Sequence, residues 1–76
     1  MKIQKKMIDA LTLKYESEIA EAEATLLVYL SNLVGIGGEH PQHLYEMDKL
    51  VEQIANANDK LETLKEFVKY NLNNGD

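Results

Sequence analysis

The 76-residue chain carries 13 acidic and 8 basic residues, a formal charge of −5, and no cysteine. This length allows one domain with a small core. The absence of cysteine excludes a disulfide framework and a thiolate zinc site. The negative charge argues against nucleic-acid binding, because it repels the phosphate backbone. No apolar run approaches the roughly 20 residues of a membrane span, and charged residues interrupt the segment where a signal peptide would have its apolar core, so we expect a cytoplasmic protein without a membrane segment.

The first predicted element is a long helix over residues 2–34. Its large apolar and small residues recur at steps of three or four in a pattern that repeats every eleven residues. The segment contains neither proline nor glycine and is rich in good helix formers. The stripe consists of Ile8, Leu11, Tyr15, Ile19, Ala22, Leu26, Leu30 and Leu33.

The next ten residues, VGIGGEHPQH, predict a helix-to-helix turn over residues 35–40. Gly35 suits the left-handed conformation that commonly ends a helix, and Gly37 and Gly38 allow the chain to reverse. Pro41 suits the first position of a following helix, which places His40 at its N-cap.

The second predicted helix covers residues 41–72 and is followed by a polar tail, 73–76, that we expect to fray. Its apolar residues alternate strictly between steps of three and four, which is the heptad pattern of a helix that packs along one seam. The seam consists of Met47, Leu50, Ile54, Ala57, Leu61, Leu64 and Val68. The fold class is therefore an all-α antiparallel two-helix hairpin.

In such a hairpin, residues whose numbers sum to about 76 should face each other. This register sets Ala22 against Ile54 and Ala57 against Ile19, so a large side chain meets a small one at both places. It also predicts two ion pairs beside the seam, Lys14 with Glu62 and Glu16 with Lys60.

The helices carry more apolar surface than one seam can bury. Leu27 and Val28 in the first helix, and Leu44 and Val51 in the second, would remain partly in water in a monomer. Helices that are apolar over so much of their circumference are normally enclosed by neighbours. We therefore expect these four residues to form an oligomer interface, most simply in a homodimeric four-helix bundle.

Little in the sequence suggests a catalytic or cofactor site. The glycines lack the spacing of a phosphate-binding loop, and no hydroxyl has a histidine nearby in sequence to act as its base. His40 and His43, with Glu39 and Glu46 near them, are the weak candidates for a metal site, but one short turn seldom brings enough ligands together. We expect no cofactor and no enzymatic activity.

The turn and the helix after it, VGIGGEHPQHLYEMDKLVEQIANANDKLETL, are similar to small helical-hairpin proteins of marine T4-like phages and ocean metagenomes. The resemblance covers about half the chain and implies a phage structural or accessory product, with no activity to transfer. The sequence thus predicts a non-enzymatic interaction or assembly protein that contacts itself and another protein. The alternative is a regulatory accessory factor, in which the acidic faces or the cluster of Lys2, Lys5 and Lys6 contact a component of the replication or transcription machinery.

Overall fold

The computed structural model describes the backbone of residues 2–36 and 40–73, and the side chains of residues 2–31 and 42–72. Helix α1 spans Lys2–Ile36 and helix α2 spans His40–Val68. The two helices pack against each other along a rod 59 Å long and 17 × 13 Å across. The predicted all-α hairpin is confirmed for the described part of the chain.

The helix ends on either side of the turn differ by one or two residues from those that the sequence predicts. Helix α1 continues through Gly35 to Ile36, whereas the glycine pattern places its end at Val34. Helix α2 begins at His40 and not at Pro41. A glycine costs about 1 kcal/mol in a helix without excluding it, so a long helix can continue through one. Gly37 and Gly38 of the predicted turn lie outside the described residues.

A five-residue π-helical segment, Lys69–Asn73, follows α2 where the sequence predicts regular helix to residue 72. The Asn71 side-chain amide donates a hydrogen bond to the carbonyl of Phe67 at 3.0 Å. Such a bond satisfies a carbonyl near the end of a helix, where regular partners run out. Most of the predicted frayed tail, residues 74–76, lies outside the described residues.

The seam of α2 follows the predicted heptad. All seven predicted residues are buried or half-buried, and His43 extends the same pattern toward the turn. The residues beside them are mostly exposed. A repeat of 3.5 residues keeps one stripe in continuous contact with a neighbouring helix, which explains why α2 has an uninterrupted seam.

The seam of α1 differs from the predicted eleven-residue pattern. Thr12 and Tyr29 are half-buried, whereas Leu11 and Leu30 are 38% and 46% exposed. The observed seam therefore has the same heptad spacing as that of α2, because two helices in contact along their length must share one period. It consists of Ile8, Thr12, Tyr15, Ile19, Ala22, Leu26 and Tyr29. Leu33 lies outside the described side chains.

The core of this hairpin is thin. Ala22 and Ala57 are each 1% exposed and are the fully buried residues among those described. The larger aliphatic residues of the two seams are only half-buried. The two alanines thus occupy the most enclosed positions of the two seams.

The predicted ion pairs beside the seam are not formed. The Lys14 ammonium lies 2.6 Å from a carboxylate oxygen of Glu18 in the same helix, not near Glu62. The Lys60 ammonium lies 5.6 Å from the centre of the Tyr15 ring, and Glu16 is not among the described ion pairs. A partner four residues along the same helix is within reach without crossing the seam, so Lys14 pairs locally.

Candidate interaction surfaces

The two seams divide each helix into two flanks. Successive helical residues turn by about 100°, so residues that precede a seam position and residues that follow one lie on opposite sides of the contact. In this hairpin, Gln53 precedes the seam residue Ile54, and its amide donates to the carbonyl of Glu18, which precedes Ile19, at 3.3 Å. The preceding flanks of α1 and α2 therefore meet on one side of the hairpin, and the following flanks meet on the other.

The first side, which we call the glutamate flank, carries the exposed apolar residues Met7, Leu11, Val28 and Phe67 away from its middle. Its polar middle consists of Glu18, Glu46, Gln53 and Lys60. These residues line a shallow groove between the helices, and both glutamates are half-buried in it. The long side chains of Gln53 and Lys60 cross the seam to contact α1. Polar contacts thus already bridge the helices along this side.

One ion pair shifts the protonation equilibria beside the glutamate flank. The hydrogen bond from the Lys14 ammonium lowers the pKa of Glu18, and the nearby charges of Lys14 and Lys60 act in the same direction against partial desolvation. The same hydrogen bond raises the pKa of Lys14. Both groups therefore stay charged at neutral pH, and nothing in their protonation suggests an acid or base poised for catalysis.

The second side, formed by the residues that follow seam positions, also includes Asp48, and we call it the leucine flank. Near the turn its aliphatic residues are Leu27, Leu30, Leu44 and Val51. Each of these residues directly follows a seam residue in its helix. Their exposed fractions are 63% for Leu27, 46% for Leu30, 60% for Leu44 and 51% for Val51. The half of this flank nearest the turn is therefore an aliphatic surface in contact with solvent.

The structure separates the four residues predicted as an oligomer interface. Leu27, Leu44 and Val51 lie together on the leucine flank, but Val28 precedes the seam residue Tyr29 and lies on the side of the glutamate flank. Val28 is 57% exposed, so it is accessible but does not extend the aliphatic surface. Leu30, which the eleven-residue pattern assigns to the seam, takes its place on the leucine flank.

The candidate metal ligands are only partly described. The side chains of His40 and Glu39 lie outside the described residues. The His43 ring lies edge-on to the Tyr29 ring with the centroids 5.7 Å apart, and its buried Nδ1 has no hydrogen-bond partner. Within residues 2–31 and 42–72, no three potential ligands lie close enough together to hold a metal ion. His43 is therefore a seam residue that packs against the ring of Tyr29.

Neither α1 nor α2, as far as they are described, has a segment that is both long and apolar enough to cross a membrane. The charged residues that interrupt both helices every few positions account for this result.

Comparison of the chain with protein-family models, with curated proteins and with solved structures gave no match. Its function has to be argued from the two flanks themselves.

Proposed function

We propose that the protein is a non-enzymatic helical interaction or assembly protein that works as a homodimer or higher oligomer, most simply as a four-helix bundle. The observation that carries the proposal is the imbalance between the core and the surface. Among the residues whose side chains the structure describes, two alanines are fully buried and twelve large apolar side chains are exposed, four of them on the turn-proximal half of the leucine flank. Burying such surface stabilises a protein by about 25 cal/mol per Å², so a second helical layer would add stabilisation that the single hairpin lacks.

The proposal is supported by the uneven distribution of the exposed residues. The leucine flank presents aliphatic residues from both helices at the same end of the rod, which is the arrangement needed for contact with another pair of helices. The similarity of the turn and second helix to phage hairpin proteins supports a role as a structural or accessory product.

Sedimentation equilibrium of the purified chain at micromolar concentrations tests the proposal. We expect the apparent mass to rise above that of the 8.6 kDa monomer as the concentration increases. A monomer at every concentration would contradict the proposed self-association.

The outer face of α2 supports a second candidate, a regulatory accessory factor that binds a basic partner protein. Five exposed acidic residues lie outside the seam of α2; Glu52, Asp59 and Glu66 are farthest from it, and Asp48 and Glu62 follow the seam residues Met47 and Leu61. A pull-down from the native host distinguishes the candidates, because recovery of replication or transcription proteins favours the accessory factor and recovery of one stoichiometric structural protein favours assembly.

A further inference from the structure

We propose that the leucine flank is covered by the leucine flank of a second copy of this chain, with the turns of both copies at the same end of the bundle. This inference rests on the proposed function and specifies which surface associates and in which orientation. Its symmetry axis runs parallel to the hairpin, so α1 of each copy packs on α2 of the other.

The leucine flank changes character along the rod. Near the turn it carries the four aliphatic residues, with Leu30 and Leu44 at similar heights on the two helices. Toward the open end, the charged residues that follow seam positions are Glu23, Glu16 and Asp9 in α1, and Glu62 and Lys65 in α2. The uncharged residues that follow seam positions there are Leu13, Ala20, Ala55 and Asn58. The flank is therefore mostly aliphatic near the turn and mostly charged toward the open end.

With the turns at the same end, each part meets a matching part. Leu30 faces Leu44 of the second copy, and Asp9 faces Lys65 of the second copy, each pair occurring twice by symmetry. Glu16 and Glu23 face Asn58 and Val51 of the second copy, and Asp48 and Glu62 face Leu27 and Leu13, so no two like charges lie directly opposite each other. The flank is thus complementary to itself at the pairs of Leu30 with Leu44 and of Asp9 with Lys65.

The opposite orientation brings unlike parts together. With the turns at opposite ends, the aliphatic half of one flank would cover Asp9 and Lys65 of the second copy. Taking a charge out of water against an apolar surface is unfavourable unless the charge is paired. The opposite orientation also loses the pairs of Asp9 with Lys65 and of Leu30 with Leu44, and these pairs favour the arrangement with both turns at one end.

The extent of the surface also fits a second copy. The exposed fractions of the four residues correspond to roughly 400 Å² of apolar surface, comparable with the largest patch of a typical monomer and about half of what each partner buries in a standard interface. The rest of the flank, along a rod 59 Å long, can supply the remainder. A second copy of equal length covers both parts of the flank at once.

A matched pair of substitutions tests the surface. Val51→Glu places a charge on the leucine flank, while Val28→Glu makes the same change at a similarly exposed residue on the other side, with exposed fractions of 51% and 57%. In sedimentation equilibrium we expect Val51→Glu to raise the dissociation constant at least about tenfold and Val28→Glu to change it little. Circular dichroism of both variants checks that the helices remain formed.

Single cysteines test the orientation, because the chain has none of its own. Chains with Asp9→Cys are mixed with chains carrying Lys65→Cys under mild oxidation, and we expect a mixed disulfide dimer to dominate, since both thiols then lie within bonding distance. Asp59→Cys, on the outer face of α2, is the control in place of Lys65→Cys and should give little mixed dimer.

The outcomes separate this inference from the proposed function. A dimer that Val51→Glu leaves intact, or that Val28→Glu disrupts equally, would overturn the choice of flank while leaving self-association in place. Equal cross-linking by Lys65→Cys and Asp59→Cys would overturn the orientation. A monomeric parent chain would refute the proposed self-association itself.

Discussion

Replacing Ala22 with phenylalanine should destabilise the hairpin strongly. Ala22 is 1% exposed, so the seam has no free space for an aromatic ring. Overpacking of a well-packed site typically costs about 1–3 kcal/mol. For a domain of this size, each kcal/mol lowers the melting temperature by about 4–8 °C, so we expect a decrease of roughly 4–24 °C. Thermal unfolding followed by circular dichroism at a fixed protein concentration measures this change.

The control is Ala24→Phe, two residues along the same helix at an exposed position. Like Ala22→Phe, this change lowers the helix propensity by about 0.5 kcal/mol relative to alanine, but it does not insert the ring between the helices. Ala57→Phe repeats the test in α2, where Ala57 is also 1% exposed, and Ala24→Phe again serves as the exposed control. If the seam variants melted at the same temperature as their exposed control, the assignment of these alanines to the contact between the helices would be wrong.

Three further predictions concern individual side chains. Leu26→Ala should lower the free energy of unfolding by about 2–3 kcal/mol and Leu11→Ala by less than about 1 kcal/mol, because Leu26 lies in the seam and Leu11 lies beside it. Urea denaturation measures both changes, and equal losses would support the eleven-residue pattern. His43→Leu should raise the unfolding free energy by about 1 kcal/mol, since it removes the buried ring nitrogen that has no partner, and a less stable variant would contradict that explanation. The pKa of Glu18 is lowered in the folded chain, so the ionised carboxylate stabilises the fold above pH 4.5, the ordinary pKa of this group, and this stability is lost as the pH falls through the folded pKa. Glu18→Gln should therefore make the melting temperature depend less on acid pH. Identical pH profiles for parent and variant would show that the pair with Lys14 does not form in solution.

The position of each residue relative to the seam decides which of these changes matter. Val51 and Val28 have the same side chain and similar exposure, yet they lie on opposite sides of the hairpin. Counting apolar residues near the turn groups them together. Only their relation to the seam residues Leu50 and Tyr29 separates them, and that relation depends on the period that α1 adopts in contact with α2.

The amino-acid sequence alone predicts the two helices, the seam of α2 and the burial of Ala22 and Ala57. These follow from local propensity and from apolar spacing, which each helix carries without reference to its neighbour. It also indicated correctly that aliphatic residues near the turn would be left exposed.

The tertiary structure decided the seam of α1 and the pairing of its charges. Leu11 and Leu30 are more apolar than Thr12 and Tyr29, so a reading of α1 alone selects the leucines. Packing along α2 requires a repeat of 3.5 residues, and this common period turns Thr12 and Tyr29 inward and leaves Leu30 on the leucine flank. Lys14 likewise pairs with Glu18 because one turn of its own helix is closer than the facing helix. Spacing within one helix fixes which residues can share a face, but contact with the other helix selects the face that is buried.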